Sequence, residues 1–197
     1  MSIWGICSRA GLRRGVAALL LLGSAPAVTQ AQAQLSLDEA LRAAFPPPAR
    51  IQRRTAFLTE RDLQAARVQA GPDAPVTQRV VTYYVADIGG RRAGVAYFDS
   101  HRVRTLNEVV MIVIDPPARI RNIEVLRFAE PPEYLARDSW LDQFQRKGLD
   151  ADLSLKGSIA NMTGATLTST AIVRATRRVL ALHGQIQPFG SQPSKRP

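Results

Sequence analysis

The sequence predicts a single α+β domain in which helices pack on an antiparallel sheet of about four strands. Its 197 residues, of which 46% are hydrophobic, suffice for one domain with a substantial core. Two capped helical segments come first, and four segments rich in β-branched and aromatic residues follow them. A long amphipathic segment comes last. This order favours one sheet covered by helices.

Residues 1–33 have the three parts of a cleavable signal peptide. A basic start precedes a short apolar run, and small residues stand at the first and third positions before a cleavage point: Arg9, Arg13 and Arg14, residues 16–23, and Ala31 and Ala33. The apolar run is too short for a bilayer, which needs about 20 residues. We therefore expect general export and a mature chain beginning at Gln34, in the periplasm or another extracytoplasmic space. An uncleaved anchor and twin-arginine export are the alternatives.

Cleavage there also changes the charge and the cysteine content. It removes three arginines and no acidic residue, so the net charge falls from +10 to +7. It removes Cys7, the only cysteine, and leaves no disulfide, thiol nucleophile or cysteine metal site. A basic chain suits nucleic acid, an anionic membrane surface or an acidic partner. Export argues against nucleic acid, because an exported protein does not meet the chromosome.

Residues 34–78 are predicted to form an N-terminal helical segment. Ser36 and Glu39 have the spacing of a capping box at the start of a first helix, which a run of three prolines ends. Thr59 opens a second helix that runs to about Ala70.

The main domain is predicted over residues 79–184 and begins with a four-stranded meander. The strands are predicted at residues 79–87, 92–98, 107–115 and 120–127. Gly89-Gly90 and an Asp-Pro-Pro sequence provide turns between them. Apolar and polar residues alternate imperfectly in the fourth strand, which predicts that one of its faces is partly buried.

Two more helices are predicted after the sheet. Asp138 caps the first, and Gly148 closes it. The second covers about residues 167–183 and stops at Gly184. One side of this helix is predicted to be mainly apolar and carries Ile172, Ala175, Thr176, Val179 and Leu182. The other side is mainly basic and carries Arg174, Arg177, Arg178 and Ala181. The composition of residues 185–197 predicts a disordered tail.

The sequence offers few groups for hydrolytic or metal chemistry. His183 lies in the last predicted helical turn, where a cation suits the helix dipole, and His101 is predicted in a turn. Neither His-x-x-His nor His-Glu-x-x-His occurs, and Ser158 and Ser169 lack a neighbouring His and Asp. We therefore predict no catalytic residue and no metal site.

Residues 158–170 are the most distinctive segment, since they hold many hydroxyls directly before the last helix. The amides at a helix N-terminus are unpaired and carry a positive partial charge, so they can hold a phosphate group. Gly164 and Ala165 would let the backbone approach such a ligand, and Thr166 would add a hydroxyl. A hydroxyl-rich N-cap with no ligand is the alternative interpretation.

The motif at residues 163–166, Thr-Gly-Ala-Thr, with the helix that follows it, resembles the S/T-G-A-T segment of the FMN-binding domain family. That family includes subunits of the RNF and sodium-pumping NADH:quinone reductase complexes. The sequence Trp-Leu-Asp-Gln-Phe at 140–144 is similar to the family's W-x-x-Q-F stretch, and residues 112–125 are similar to its paired strands. The order of elements agrees over residues 79–183.

The resemblance implies that FMN is the cofactor and that a phosphoester joins its phosphate to Thr166. In the family a flavin transferase makes this bond from FAD with magnesium. The residues implied in cofactor binding are Thr163, Gly164, Ala165, Thr166, Leu167 and Thr168. The transferase signature usually has an acidic residue three positions before the first Thr, where this chain has Ala160.

The favoured interpretation is an exported FMN-binding electron-transfer module, a redox carrier rather than a stand-alone catalyst. Its partners would be a flavin transferase and a redox protein, for which a membrane-bound protein is one candidate. The alternative is a flavin-free exported scaffold or sensory domain of the same fold, which Ala160 favours. A basic binder of nucleic acid or lipid surfaces rests on net charge alone.

Overall fold

The computed structural model describes residues 36–190, so the predicted signal peptide lies outside the described part of the chain. The helices are α1 (Leu37–Ala44), α2 (Glu60–Ala70), α3 (Asp138–Leu141) and α4 (Thr166–Ile186). The strands are β1 (Arg50–Phe57), β2 (Val80–Ile88), β3 (Arg91–Arg102), β4 (Asn107–Asp115) and β5 (Arg119–Phe128). Two short 3₁₀ turns occupy Pro132–Tyr134 and Asp142–Phe144. Within residues 36–190, no helix combines the length and apolar character needed to cross a bilayer.

The sheet is antiparallel, and its five strands lie side by side in chain order. The α+β class is therefore confirmed, and β2 to β5 correspond to the four predicted strands. The fifth strand, β1, lies in the segment predicted to be helical, so the expected number of strands is corrected. β1 is an edge strand that pairs only with β2 and exposes most of its side chains. This strand is held by backbone hydrogen bonds to β2 and buries few side chains. Its sequence therefore lacks the alternation of apolar and polar residues that predicts a strand.

The predicted capping box at Ser36 and the predicted start of a helix at Thr59 are both confirmed. Ser36 Oγ accepts a hydrogen bond from the Glu39 amide at 3.2 Å, and the Glu39 carboxylate accepts one from the Ser36 amide at 2.9 Å. Thr59 and Asp62 make the same reciprocal contacts at the start of α2. These hydrogen bonds hold the pKa of the Glu39 and Asp62 carboxyl groups below their usual values.

Hydrophobic side chains pack on both faces of the sheet. The larger core joins one face to α2 and α4, and its strand residues include Val85, Val95 and Ile112. The smaller core joins the other face to α1 and includes Ala86, Ala96 and Met111. Because successive residues of a strand point to opposite faces, these neighbouring positions separate into the two cores. The domain therefore has three layers, with the sheet in the middle.

Helix α4 is buried around more of its circumference than predicted. All five residues of its predicted apolar side are buried, but Arg178 and Ala181 on the predicted basic side are only 8% and 0% exposed. Ala181 belongs to the larger core, while the Arg178 guanidinium donates to the Asp99 carboxylate at 2.9 and 2.7 Å. Arg178 is thus an internal ion-pair partner rather than a solvated cation.

The predicted end of α4 is also wrong. The helix passes through Gly184 and ends at Ile186, where Gln187 takes a left-handed conformation with φ of 49°. Gly184 lies beside α2, and a Cβ atom at this position would make an ordinary van der Waals contact with Gln69 Oε1 at 3.4 Å. The ring of Phe189 packs against that of His183, which places part of the predicted tail on the core. Residues 191–197 lie outside the described chain.

The helix predicted to begin at Asp138 is short. Arg137, not Asp138, occupies the N-cap position of α3, and the 3₁₀ turn that follows ends at Phe144. Gly148 does not end the helix. Its Cβ would lie 2.7 Å from Arg119 Nη1, so a side chain at this position would displace that guanidinium.

Candidate functional site

The segment that leads into α4 is anchored on α3 and the turn after it. Trp140 Nε1 donates to the Ala160 carbonyl oxygen at 2.6 Å, and the Ala160 amide donates to Gln143 Oε1 at 2.8 Å. Trp140 is itself buried against the ring of Phe144. The Trp and Gln of the W-x-x-Q-F stretch thus hold the backbone of Ala160 from both sides and leave its methyl group exposed.

Helix α4 begins without a side-chain cap. Ala165 occupies the N-cap position, and no side chain in the described chain bonds to the first amides. The predicted hydroxyl-rich cap is therefore wrong. Gly164 precedes this position with φ of +82°, and an added Cβ there would meet nothing within 4 Å. Because the first amides of a helix lack intrahelical acceptors, this helix end can receive an anion.

The hydroxyls after residue 166 bond to main-chain carbonyl groups. Thr168 Oγ1 donates to the Tyr134 carbonyl at 2.8 Å, and Ser169 Oγ donates to the Ala165 carbonyl at 3.1 Å. Thr170 Oγ1 donates to the carbonyl of Thr166 at 2.8 Å. These three contacts fix the first turns of α4, so their hydroxyls are structural.

The Thr166 hydroxyl differs from these three. It is on an exposed residue and accepts a hydrogen bond from Asn161 Nδ2 at 3.0 Å. No described residue accepts its proton. The Asn161 amide therefore orients the oxygen while the proton stays available for exchange or reaction.

A cavity of about 280 Å³ lies in front of this helix end. Five of the six residues predicted to bind cofactor line it, namely Gly164, Ala165, Thr166, Leu167 and Thr168. Thr163 is exposed and does not line it. The opposite wall consists of Val103, Arg104, Glu130 and Tyr134, which the sequence analysis did not single out. These four residues lie at least 30 positions from Thr166 in the chain, and no local pattern marks them.

Glu130 fixes the β3–β4 hairpin at the edge of this cavity. Its carboxylate accepts hydrogen bonds from the amides of Arg104, Thr105 and Leu106 at 3.1, 2.5 and 2.7 Å. The residue is only 7% exposed, and these amides hold the pKa of its carboxyl group below the usual value. Three backbone dipoles therefore offset the Glu130 charge, while the exposed Arg104 guanidinium has no carboxylate partner in the described chain.

His101 is not in a turn. It lies in β3, where Nδ1 contacts Asp99 and Nε2 contacts Glu108, both at 2.9 Å. Burial opposes the charged imidazole, but the hydrogen bonds to these two carboxylates raise the pKa of His101 to about 9. Asp99 also binds Arg178, so this buried network connects the base of the β3–β4 hairpin to α4.

Comparison with protein families matches residues 107–181 to the family model described as the FMN-binding domain. The matched region runs from the start of β4 into the last part of α4 and includes the whole segment at 158–170. Over this region the chain is similar to that family, and the match supports FMN as the cofactor. The comparisons with curated proteins and with solved structures found no match.

The residues of the cavity fit the phosphate end of FMN. The uncapped helix end provides amide donors, Arg104 provides a full positive charge, and the open space at Gly164 permits close approach. The cavity volume, about 280 Å³, lies at the lower limit of typical ligand pockets, which begin at about 300 Å³. It can therefore enclose part of a mononucleotide, and the remainder would extend past the exposed side chain of Leu167.

Proposed function

We propose that this protein is an exported FMN-carrying electron-transfer module with FMN joined through its phosphate to Thr166. The family match over residues 107–181 supports the flavin. The observation that carries the attachment site is the exposed Thr166 hydroxyl at the uncapped start of α4, on the wall of a cavity.

Attachment requires a free hydroxyl on an accessible residue, and Thr166 provides it. Its Oγ1 forms the bond to phosphorus and loses its proton, while AMP leaves from the FAD that a flavin transferase supplies. The α4 amides and Arg104 stabilise the remaining phosphate charge. A helix end contributes about 0.3–1 kcal/mol to such a contact, so the covalent bond is what retains the cofactor.

When bound, FMN supplies one- or two-electron redox chemistry. The chain's own contribution is to hold and orient the group. The α4 amides and the Arg104 guanidinium face the phosphate end, and Leu167 and Val103 offer apolar surface at the cavity wall. The one carboxylate in the cavity wall, that of Glu130, is engaged by three backbone amides, so a carrier role suits the site better than substrate turnover.

The attachment is tested by mass spectrometry of protein exported from cells that also produce a flavin transferase. We expect wild type to carry one FMN-sized addition that survives denaturation, and Thr166→Val to lack it. Thr163→Val is the comparison variant: because Thr163 lies outside the cavity, its loss should reduce the addition without abolishing it. A yellow native protein that loses its flavin on denaturation would contradict the covalent bond. A colourless native protein would overturn the flavoprotein assignment.

The export proposal rests on the basic start, the short apolar run and the small residues before Gln34. N-terminal sequencing of the protein from the extracytoplasmic fraction should begin at Gln34. An intact Met1 in the membrane fraction would contradict cleavage and favour the uncleaved anchor.

The flavin-free scaffold is a second candidate, and the surroundings of Ala160 favour it. Trp140 and Gln143 bond to both backbone groups of this residue, and its exposed side chain provides no carboxylate three positions before Thr163. The colourless outcome described above would select this candidate.

A further inference from the structure

A second cavity, of about 350 Å³, lies beside α4 and away from Thr166. Three basic residues line it, Lys156, Arg174 and Arg177, and we call it the cationic groove. Its apolar walls include Pro72, Leu155 and Val173. The volume lies within the range of ordinary small-ligand pockets, about 300–1,000 Å³.

Arg177 is a half-buried cation without a carboxylate partner in the described chain. Its Nε donates to the Ala70 carbonyl at 2.7 Å, and its Nη1 donates to the Asp150 and Leu153 carbonyls at 2.7 and 3.2 Å. Its Nη2 donates to the Gln69 carbonyl at 3.5 Å. These carbonyls occupy donors and fix the guanidinium in place, but they do not cancel its full charge. Gly71 lies in the groove wall beside Nη2, from which a Cβ at this position would stand 3.7 Å away.

The other two cations strengthen the same field. Arg174 and Lys156 are exposed and make no ion pair among the residues that the structure describes. Asp73 is the one acidic residue in the lining, so the groove has two more positive than negative charges. Cations that converge on a cavity repel one another, and a bound anion relieves this repulsion.

We infer that the cationic groove binds a small organic dianion, a phosphate monoester or a dicarboxylate. Its charged groups face Arg174, Arg177 and Lys156, and its apolar body lies against Leu155 and Val173. The charge excess matches two negative charges, and the walls favour an organic ligand over an inorganic ion. The site is separate from the proposed flavin cavity, because the two linings share no residue.

The test uses the flavin-free mature protein, so its outcome is independent of flavin attachment. Phenyl phosphate, succinate, inorganic phosphate and phenol are titrated by calorimetry, and each is also added during thermal unfolding. We expect phenyl phosphate or succinate to bind and to raise the unfolding midpoint, because a ligand that binds only the native state stabilises it. The tighter of the two identifies the anionic group. Inorganic phosphate should bind more weakly, and phenol should not bind.

Variants locate the site. The double variant Lys156→Gln with Arg174→Gln should weaken binding by about tenfold or more, equivalent to at least about 1.4 kcal/mol. The double variant Arg53→Gln with Arg61→Gln is the matched control, since it removes the same two charges from exposed residues that do not line the groove. Its affinity should equal that of wild type. Equal losses in the control and the double variant would show general charge attraction and overturn the site, as would an absence of binding by both organic dianions.

Discussion

The Tyr97 hydroxyl and His183 Nδ1 lie 3.1 Å apart in the core between β3 and α4. Burial lowers the pKa of His183 to about 4 and raises that of the Tyr97 hydroxyl well above its usual value. The hydroxyl therefore donates to a neutral imidazole. This corrects the expectation of a cation near the helix end, because the cost of burying the charge exceeds the gain from the helix dipole.

The buried neutral His183 makes stability depend on pH in the acidic range. Its pKa is about 6.5 when exposed and about 4 in the fold, so the unfolded chain binds the extra proton first. The contribution of neutral His183 to the free energy of unfolding should be complete above pH 6.5 and be lost as the pH drops towards 4, by about 3 kcal/mol in all. Urea unfolding across this range tests it. In His183→Asn, whose side chain can still accept from Tyr97, the slope should be smaller, and an unchanged slope would contradict the assignment.

The buried ion pair between Arg178 and Asp99 predicts that the free energy of unfolding depends strongly on both side chains. Asp99→Ala leaves the Arg178 guanidinium uncompensated in the core and should lower the free energy of unfolding by about 3–5 kcal/mol. Adding Arg178→Met removes the unpaired charge and should recover part of this loss. Denaturant unfolding of the single and double variants measures both effects. A double variant as unstable as the sum of the two single variants would show that the pair is not coupled.

Removal of the Glu130 carboxylate is expected to loosen the β3–β4 hairpin at the edge of the cavity. Glu130→Ala removes the acceptor for the amides of Arg104, Thr105 and Leu106, so these amides should exchange with solvent faster than in wild type. Glu133→Ala is the control, because Glu133 is exposed and close in sequence. Amide hydrogen exchange read by NMR distinguishes the two. Unchanged exchange at residues 104–106 would show that the carboxylate does not hold the hairpin.

Ala160→Asp is predicted to increase flavin attachment. The backbone of this residue is held by Trp140 and Gln143, and its side chain is exposed, so a carboxylate can be added without disturbing the fold. It would restore the acidic group that the transferase signature of the resembling family usually has. The fraction of flavinylated chain, measured by mass spectrometry at limiting transferase, should rise above wild type. Ala160→Asn has nearly the same shape without charge, and an equal rise in that variant would argue against the carboxylate.

Local patterns predicted the elements whose cause is local. The capping box at Ser36, the start of α2 at Thr59 and the strands β2 to β5 follow from residues within a few positions of one another. The edge strand β1 is not predicted, because it is held by backbone hydrogen bonds to β2 and has no buried face that would leave a pattern in the sequence. The burial of Arg178 was missed for a related reason, since its partner Asp99 lies 79 residues away in the chain.

One wall of the cavity beside Thr166 could be predicted from the sequence, and the facing wall could not. Residues 164–168 were predicted from one continuous segment, and the structure places them on one wall. The facing wall depends on Glu130, whose bonds to the hairpin span 24 to 26 residues. A carboxylate that binds successive backbone amides has no fixed spacing in sequence, so only the folded chain reveals it.

Helix α4 begins at the exposed Thr166 and continues for 21 residues, most of which are buried between α2 and the sheet. A group bonded to its first residue is thus mounted on a helix that packs into the core rather than on a swinging arm. Its position and orientation follow the core, and only rotation about its own bonds remains free. A partner protein would meet such a group at a constant place on the surface, so the rate of exchange with that partner would depend on how the two surfaces approach rather than on a search by the carrier.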